Sequence, residues 1–314
     1  MTHTRLFAAA SLALPLFCAS FAFAQDKAAD SPSTPPHLLV LVRQEVQYGK
    51  STTHQKISVN MAKACNRLNV PNDWIALEAI TGQPESVSFD PFDSYEHIEQ
   101  ALTGWNQIYS AHPELSKMQD EISALLTSQR TIIAERRDDL GYRADTIDLS
   151  DARYMRVIEI HFSPGHENDF AQSFNILHAA YEKTKSESPW VVYQIKMGSV
   201  SPGFLIFVPM TNLKQNDAIL SWTEGLTEFE GEEDAQQLQQ IARDTSVTSE
   251  SNLYAIVPEM SHVAKKFAAG VSERPRHLSD VQPVAPSSPT PSASAETDTP
   301  KSQPPADPGT TLHN

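Results

Sequence analysis

The sequence predicts an α+β protein made of two tandem copies of one βαββαβ unit. Three observations carry that prediction. The stretch from Arg153 to Phe170 reads as strand, tight turn and helix entry without a break. Marker residues recur at a near-constant offset: Gly49 and Gly165, Trp74 and Trp190, and Gly82 and Gly198 are each 116 apart, while Trp105 and Trp222 are 117 apart. The elements around these markers also follow in the same order in both halves, which chance agreement of a few residues does not explain.

The second copy is the clearer one. From Tyr154 to Phe162 the side chains alternate, with Tyr154, Ile158, Ile160 and Phe162 on one side and Met155, Val157, Glu159 and His161 on the other, the period of a strand. Pro164-Gly165 ends it. Phe170, Phe174, Leu177, His178 and Tyr181 then form one helical stripe, with Glu167 and Asp169 in the first turn, where the helix dipole favours negative charge. Strands at 189–197 and 203–208, helices at 212–226 and 232–244, and a strand at 252–258 complete the copy. The first copy has a strand at 38–46, a helix at 51–68, strands at 73–81 and 85–90, helices at 94–109 and 113–129, and a strand at 131–137. Residues 141–152, rich in turn and charged residues, form a linker between repeats spanning 37–140 and 153–262.

Both ends differ from this pattern. Residues 1–24 carry Arg5, an apolar run and the ending Ala22-Phe23-Ala24, the pattern of a secretory signal peptide cleaved after Ala24. Bulky Leu16-Phe17 before Cys18 disfavours the competing lipoprotein signal. The expected address is secreted or periplasmic, with no membrane span left after cleavage. Residues 25–36 form a flexible lead, and 263–314, rich in Pro, Ser and Thr, a disordered tail. Cleavage leaves Cys65 as the single cysteine, on the apolar side of a helix, so the mature chain has no disulfide and no sign of thiol chemistry. Lys and Arg number 24 against 39 Asp and Glu, and a net charge of −15 repels phosphate backbones, which excludes nucleic acid as an expected partner.

The order βαββαβ is that of the ferredoxin-like unit, a four-stranded sheet with helices on one face. Its bare face must find apolar company, and two copies in one chain can cover each other. With the stretch Val157-Ile-Glu-Ile-His-Phe-Ser-Pro-Gly-His-Glu-Asn-Asp-Phe170 as its most family-like part, the chain resembles the dimeric α/β-barrel superfamily over residues 37–262. The first copy departs from that pattern, with Gln47-Tyr48-Gly49-Lys50 in place of Ser163-Pro164-Gly165-His166. The resemblance implies an intramolecular barrel with a pocket inside and a monomer acting as a pseudo-dimer. It also implies a range of activities, including cofactor-free monooxygenases, haem-degrading and haem-using enzymes and small isomerases, without a catalytic set that transfers residue by residue.

The offset of 116 places Arg43 opposite Glu159 and Glu45 opposite His161 on the side of the first strands that would look into the barrel. The same offset on the second strands adds Trp74, Ala76 and Glu78 opposite Trp190, Val192 and Gln194. The candidate ligand-binding set is therefore Arg43, Glu45, Trp74, Glu78, Glu159, His161, Trp190 and Gln194, with His161 and Glu159 as candidate catalytic residues. Charges in such a place must be paired, hydrated or bound. Three roles are open: salt bridges Arg43–Glu159 and Glu45–His161, a divalent metal held by the glutamates and His161, or an acid–base group in a tryptophan-walled pocket. No short ligand spacing supports the metal, and none is expected; no cofactor is specified.

Common motifs fail. Gly49-Lys50-Ser51 ends like a phosphate-binding loop, but Gln44 stands where its first glycine belongs. His166-Glu167 lacks the second histidine of a zinc-protease helix, and no Gly-x-Ser-x-Gly elbow occurs. The acidic run Glu228 to Asp234 reads as a solvated face. Three functions follow: a secreted small-molecule-binding protein with a barrel cavity, a monooxygenase-like or haem-related enzyme, or a structural or partner-binding protein with a filled barrel. A packed interior with Arg43 paired to Glu159 distinguishes the third.

Overall fold

The computed structural model describes residues 35–218, 232–245 and 247–263. The expected signal peptide, nearly all of the expected lead, Trp222, the acidic run up to Gly231 and the expected tail beyond Val263 lie outside the described residues. In the first half β1 (Leu38–Val46), α1 (Ser51–Leu68), β2 (Ile75–Ala79), β3 (Glu85–Phe92), α2 (Tyr95–Ala111), α3 (Pro113–Ser123) and β4 (Leu126–Arg136) follow one another. The second half runs β5 (Tyr154–His161), α4 (Glu167–Lys183), β6 (Val191–Met197), β7 (Gly203–Met210), α5 (Glu232–Asp244) and β8 (Thr248–Ile256). A 3-10 turn, Leu213–Ala218, opens the stretch where the sequence predicts a helix at 212–226.

Local chemistry accounts for the boundaries. Ser94 caps α2 by accepting a hydrogen bond from the His97 amide, and Pro113 starts α3 where its missing N–H costs nothing. Gly49 and Gly165, before α1 and α4, have φ of 77° and 90°, and Gly82 and Gly198, after β2 and β6, have φ of 80° and 87°. These left-handed turns, where a side chain would be strained, occur at matching places in the two halves.

Eight antiparallel strands close into a barrel in the order β1-β3-β2-β8-β5-β7-β6-β4. Closure removes every sheet edge. The seams between halves are β2 with β8 and β4 with β6. β4 begins at Leu126, earlier than its expected start at 131, and α3 stops at Ser123. The reason is that Ser128 and Gln129 pair with the end of β1, and Thr127 is skipped at a register shift beside them, yet all three are exposed and show no apolar alternation. β8 starts at Thr248, before the expected 252, through the same kind of exposed polar extension along β5.

Side chains fill the barrel. Leu39, Leu41, Leu77, Val87, Phe89, Ile132, Met155, Val157, Tyr193, Leu205, Phe207 and Tyr254 form one buried cluster contributed by all eight strands together with Ile195 and Ile256. A second cluster, outside the barrel, packs Ile158, Ile160, Phe162, Phe204 and Ile206 under Phe170, Phe174 and Leu177 of α4 and Ala235 and Leu238 of α5. A third joins α1 to α3 through Met61, Cys65 and Leu115, with Trp74 and Trp105 against it.

Each half also reaches across to the other. The segment after β8 pairs with Trp74, whose indole N–H donates to the Met260 carbonyl at 2.8 Å, while Trp74 and His262 exchange backbone hydrogen bonds. The segment after β4 does the same for Trp190, whose indole N–H donates to the Leu140 carbonyl at 2.9 Å, with Tyr142 as the backbone partner. The two tryptophans thus hold equivalent posts, each clamped by the strap that leaves the opposite half.

Candidate functional site

The polar group of residues inside the barrel lies at the end where β1 and β5 finish. Arg43 and Glu159 belong to the odd-numbered side chains of β1 and β5, which face inward with Leu41 and Val157. Arg43 donates through Nε and Nη2 to the two carboxylate oxygens of Glu85 at 2.7 and 3.0 Å, and through Nη1 to Glu159 Oε2 at 2.5 Å. The Tyr254 hydroxyl donates to Glu85 Oε2 at 2.6 Å. Bidentate and charge-assisted bonds of this kind are the strong ones.

Glu159 collects the other donors. The Ser199 hydroxyl reaches Oε1 at 2.8 Å, His161 Nε2 the same oxygen at 3.0 Å, and Arg130 Nη2 reaches Oε2 at 3.4 Å. A carboxylate only accepts, so the His161 proton sits on Nε2. Nδ1 of that ring is sealed from solvent without a hydrogen-bond partner, close against the backbone at Gly203, where a Cβ would collide with it. Burial pushes the Glu159 carboxyl up, but the Ser199 hydroxyl together with Arg130, Arg43 and His161 outweighs it and holds the group below the usual carboxylate value. Burial and the neighbouring Glu85 push the Tyr254 phenol well above its ordinary range. For Arg43, burial pulls down, and Glu85, Tyr254 and Glu159 more than compensate. Arg43, Glu85, Tyr254 and Glu159 bond one another in one buried network, with Glu159 only 5% exposed.

The structure brings together Arg43, Glu159 and His161 of the expected set and separates the rest. Glu45 does not meet His161: its carboxylate accepts from the Thr127 hydroxyl at 3.3 Å on the barrel rim. Trp74, Glu78, Trp190 and Gln194 are not in the interior. Register places Leu77 opposite Val87 and Tyr193 opposite Leu205, all four in the interior cluster, so the even-numbered residues of β2 and β6 turn toward the helices. A one-residue slip of face moves every side chain of a strand, and the sequence assignment for these two strands is corrected by that slip. Glu85, Arg130, Ser199 and Tyr254 complete the cluster without having been singled out. Glu85 and Tyr254 alternate with Val87 and Ile256 and carried a readable signal; Arg130 and Ser199 lie outside the strands expected from the sequence.

Two concavities lie on the outer surface, one of about 380 Å³ beside Tyr142 and Lys185 and one of about 340 Å³ along α1 at Lys56 and Lys63. No group of three or more His, Cys, Asp or Glu side chains among the described residues is arranged to hold a metal ion. No helix among them is long and apolar enough to cross a membrane.

No family model matches the chain, and no curated protein matches it significantly. Similar solved structures include an anthrone oxidase-like protein, 12% identical with a TM-score of 0.49 over 74% of this chain and 96% of that one. Others are chlorite dismutase from Candidatus Nitrospira defluvii, 12% identical with a TM-score of 0.44 over 76% and 96%, and a heme-binding protein from Thermus thermophilus, 8% identical with a TM-score of 0.42 over 71% and 92%. At these scores the matches carry no argument about activity; the barrel assignment stands on the strand order itself.

Proposed function

We propose that this chain is a secreted or periplasmic binding protein whose barrel is a filled scaffold and whose contacts with other molecules are made by its outer faces. The carrying observation is the interior: its space is taken by Phe89, Met155, Tyr193, Phe207 and Tyr254, and its polar end is closed by Arg43 paired with Glu85 and Glu159. Ligand sites are commonly concave, with a few polar groups left to orient the ligand, whereas Arg43, Glu85, Glu159 and Tyr254 already bond one another. We also infer two ferredoxin-like repeats at 37–140 and 153–262. That reading is supported by the matching strand orders β4-β1-β3-β2 and β8-β5-β7-β6 and by the equivalent clamps on Trp74 and Trp190.

The test uses the mature chain and an Arg43→Met, Glu159→Leu double variant. In the filled-scaffold reading the double variant folds, and native mass spectrometry finds no haem, metal or small molecule lost relative to the parent. A ligand that co-purifies with the parent and disappears from the variant places the site inside the barrel and ends the reading. Mass spectrometry of protein exported from a bacterial host also tests the address, with Gln25 as the expected first residue.

The enzyme alternative draws on one feature. The His161 ring is part exposed at the barrel end, with Nε2 bonded to a buried carboxylate, an arrangement that orients an imidazole for proton transfer. A new absorbance band on titration with haem, abolished by His161→Ala, is the result that would favour it.

A further inference from the structure

The two halves differ under their helices. Pairing positions through the shared register, Gln44 of β1 stands where Ile160 stands in β5, and Ser86, Ser88 and Asp90 of β3 stand where Phe204, Ile206 and Val208 stand in β7. On α1, His54 and Ser58 replace Phe170 and Phe174 of α4. The second half fills this layer with aromatic and branched side chains, Ile206 and Val208 being 4% and 5% exposed. In the first half Ser88 and Asp90 are only half-buried, as are Val40 and Val42, their partners on β1, and Ile133 next to Val40 on β4. Smaller and polar side chains stand on this patch of sheet, and the valines beside the Asp90 carboxyl keep part of their surface exposed.

Asp90 is the anomaly in that patch. Although the residue keeps an exposed edge, its Oδ1 is sealed from water and has no hydrogen-bond partner. Buried polar atoms are nearly always satisfied, and an orphan calls for an explanation. Burial pushes the carboxyl up to about 7, so it changes charge near neutrality. A metal ion does not account for it, since no group of three or more ligating side chains exists among the described residues. Val40, Val42 and Ile133, on the same face, supply no polar partner from their side chains. An organic cation matches both the part-exposed valines and the acid, and the net charge of −15 draws cations to the molecule.

We propose that the outer face of the first sheet, over Val40, Val42, Ser88 and Asp90, is a binding site for a small amine whose ammonium group donates to the Asp90 carboxylate while its apolar body lies on the valines. The inference rests on the outer-face reading of function and names a ligand class for one face. It concerns the first half alone, because Val208 takes the place of Asp90 in the second.

The experiment is a ¹⁵N-resolved NMR titration of the mature protein with 2-phenylethylamine and, as a neutral control, 2-phenylethanol. The expected result is saturable shifts centred on residues 40–42 and 88–90 for the amine, affinity several-fold higher at pH 8 than at pH 6, and at least tenfold weaker binding of the alcohol. Asp90→Asn keeps the shape and removes the charge, and Ser88→Ile covers the valines while leaving the acid; each should reduce affinity for the amine more than tenfold, with folding checked by the spectrum itself. Absence of saturable shifts, shifts centred elsewhere, or amine affinity unchanged in Asp90→Asn overturns the proposal and leaves the filled scaffold standing. Binding lost in the Arg43→Met, Glu159→Leu variant but kept in Asp90→Asn overturns both.

Discussion

Arg43 and Glu159 stand 116 residues apart in sequence, and the Arg43 guanidinium donates to the Glu159 carboxylate at 2.5 Å across the barrel. They occupy the same position in the two halves, so the chain places opposite charges where a symmetric pair of strands would place two identical residues face to face. A buried pair of this kind is costly to break and much less costly to replace whole. Removing Arg43 alone, as Met, leaves Glu85 and Glu159 short of a donor and is expected to cost about 3–5 kcal/mol. The Arg43→Met, Glu159→Leu double variant should recover the part of that loss owed to Glu159, while Glu85 keeps the Tyr254 hydroxyl as a donor. Urea unfolding of the two single variants and the double variant measures the coupling directly.

Acid should dissolve the same network. The folded-state value for Glu159 is lowered, so its stabilising contribution is present above the ordinary carboxylate pKa and is lost as pH falls through the depressed folded value. Glu159→Gln should therefore lower stability near neutrality and narrow its difference from the parent in strong acid. Thermal melts from pH 7 down to pH 2 give the comparison.

Two groups in the first half, the buried His54 and the half-buried Asp90 with its sealed Oδ1, pull against each other with pH. Burial lowers His54 from 6.5 to about 4, so the unfolded chain takes up a proton first and stability rises between pH 4 and 6.5. Asp90 is raised from 3.8 to about 7, so the folded chain holds its proton longer and stability falls with rising pH over nearly the same window. In Asp90→Asn the His54 effect stands alone, and melting temperature should climb from pH 4 to 6.5. In His54→Phe, with the residue that its counterpart Phe170 provides, it should decline from pH 4 to 7. Identical pH profiles for parent and both variants would remove the argument.

Glycines with the same backbone conformation should differ in tolerance. Gly49 has nothing near the position of an added Cβ, so Gly49→Ala meets only the left-handed backbone penalty, about 1–2 kcal/mol. At Gly198 an added Cβ runs into the Thr131 carbonyl across the β4–β6 seam, and the backbone itself must move. Gly198→Ala should cost several kcal/mol more, on the order of 3 or above, in the same denaturation assay.

The tryptophan clamps provide a further check. Trp74→Phe and Trp190→Phe each remove one indole hydrogen bond to a strap carbonyl, worth about 1 kcal/mol before any change in packing. The losses should add, because the two clamps share no partner.

The local pattern was enough to place β1, β5, α1 and α4, because each has an unbroken period and a glycine turn between strand and helix. The repeat offset of 116 carries Arg43 to Glu159. It failed for β2 and β6, where Ile75-Ala-Leu-Glu-Ala79 and Val191-Val-Tyr-Gln-Ile195 have apolar residues on both faces and either face suits a barrel. Only the pairing of Leu77 with Val87 and of Tyr193 with Leu205 decides which way they turn. The partners of the cluster, Glu85, Arg130, Ser199 and Tyr254, come from strands and a loop far apart in the chain, and no local period links them. The sequence by itself determined most of the described strands and helices and the inward side of the first strands, consequences of short-range period and turn chemistry, and its repeating offset supports the duplication proposed above. Closure of the barrel, the inward faces of β2 and β6 and the orphaned Asp90 were decided by tertiary structure, because each depends on register between strands distant in the chain.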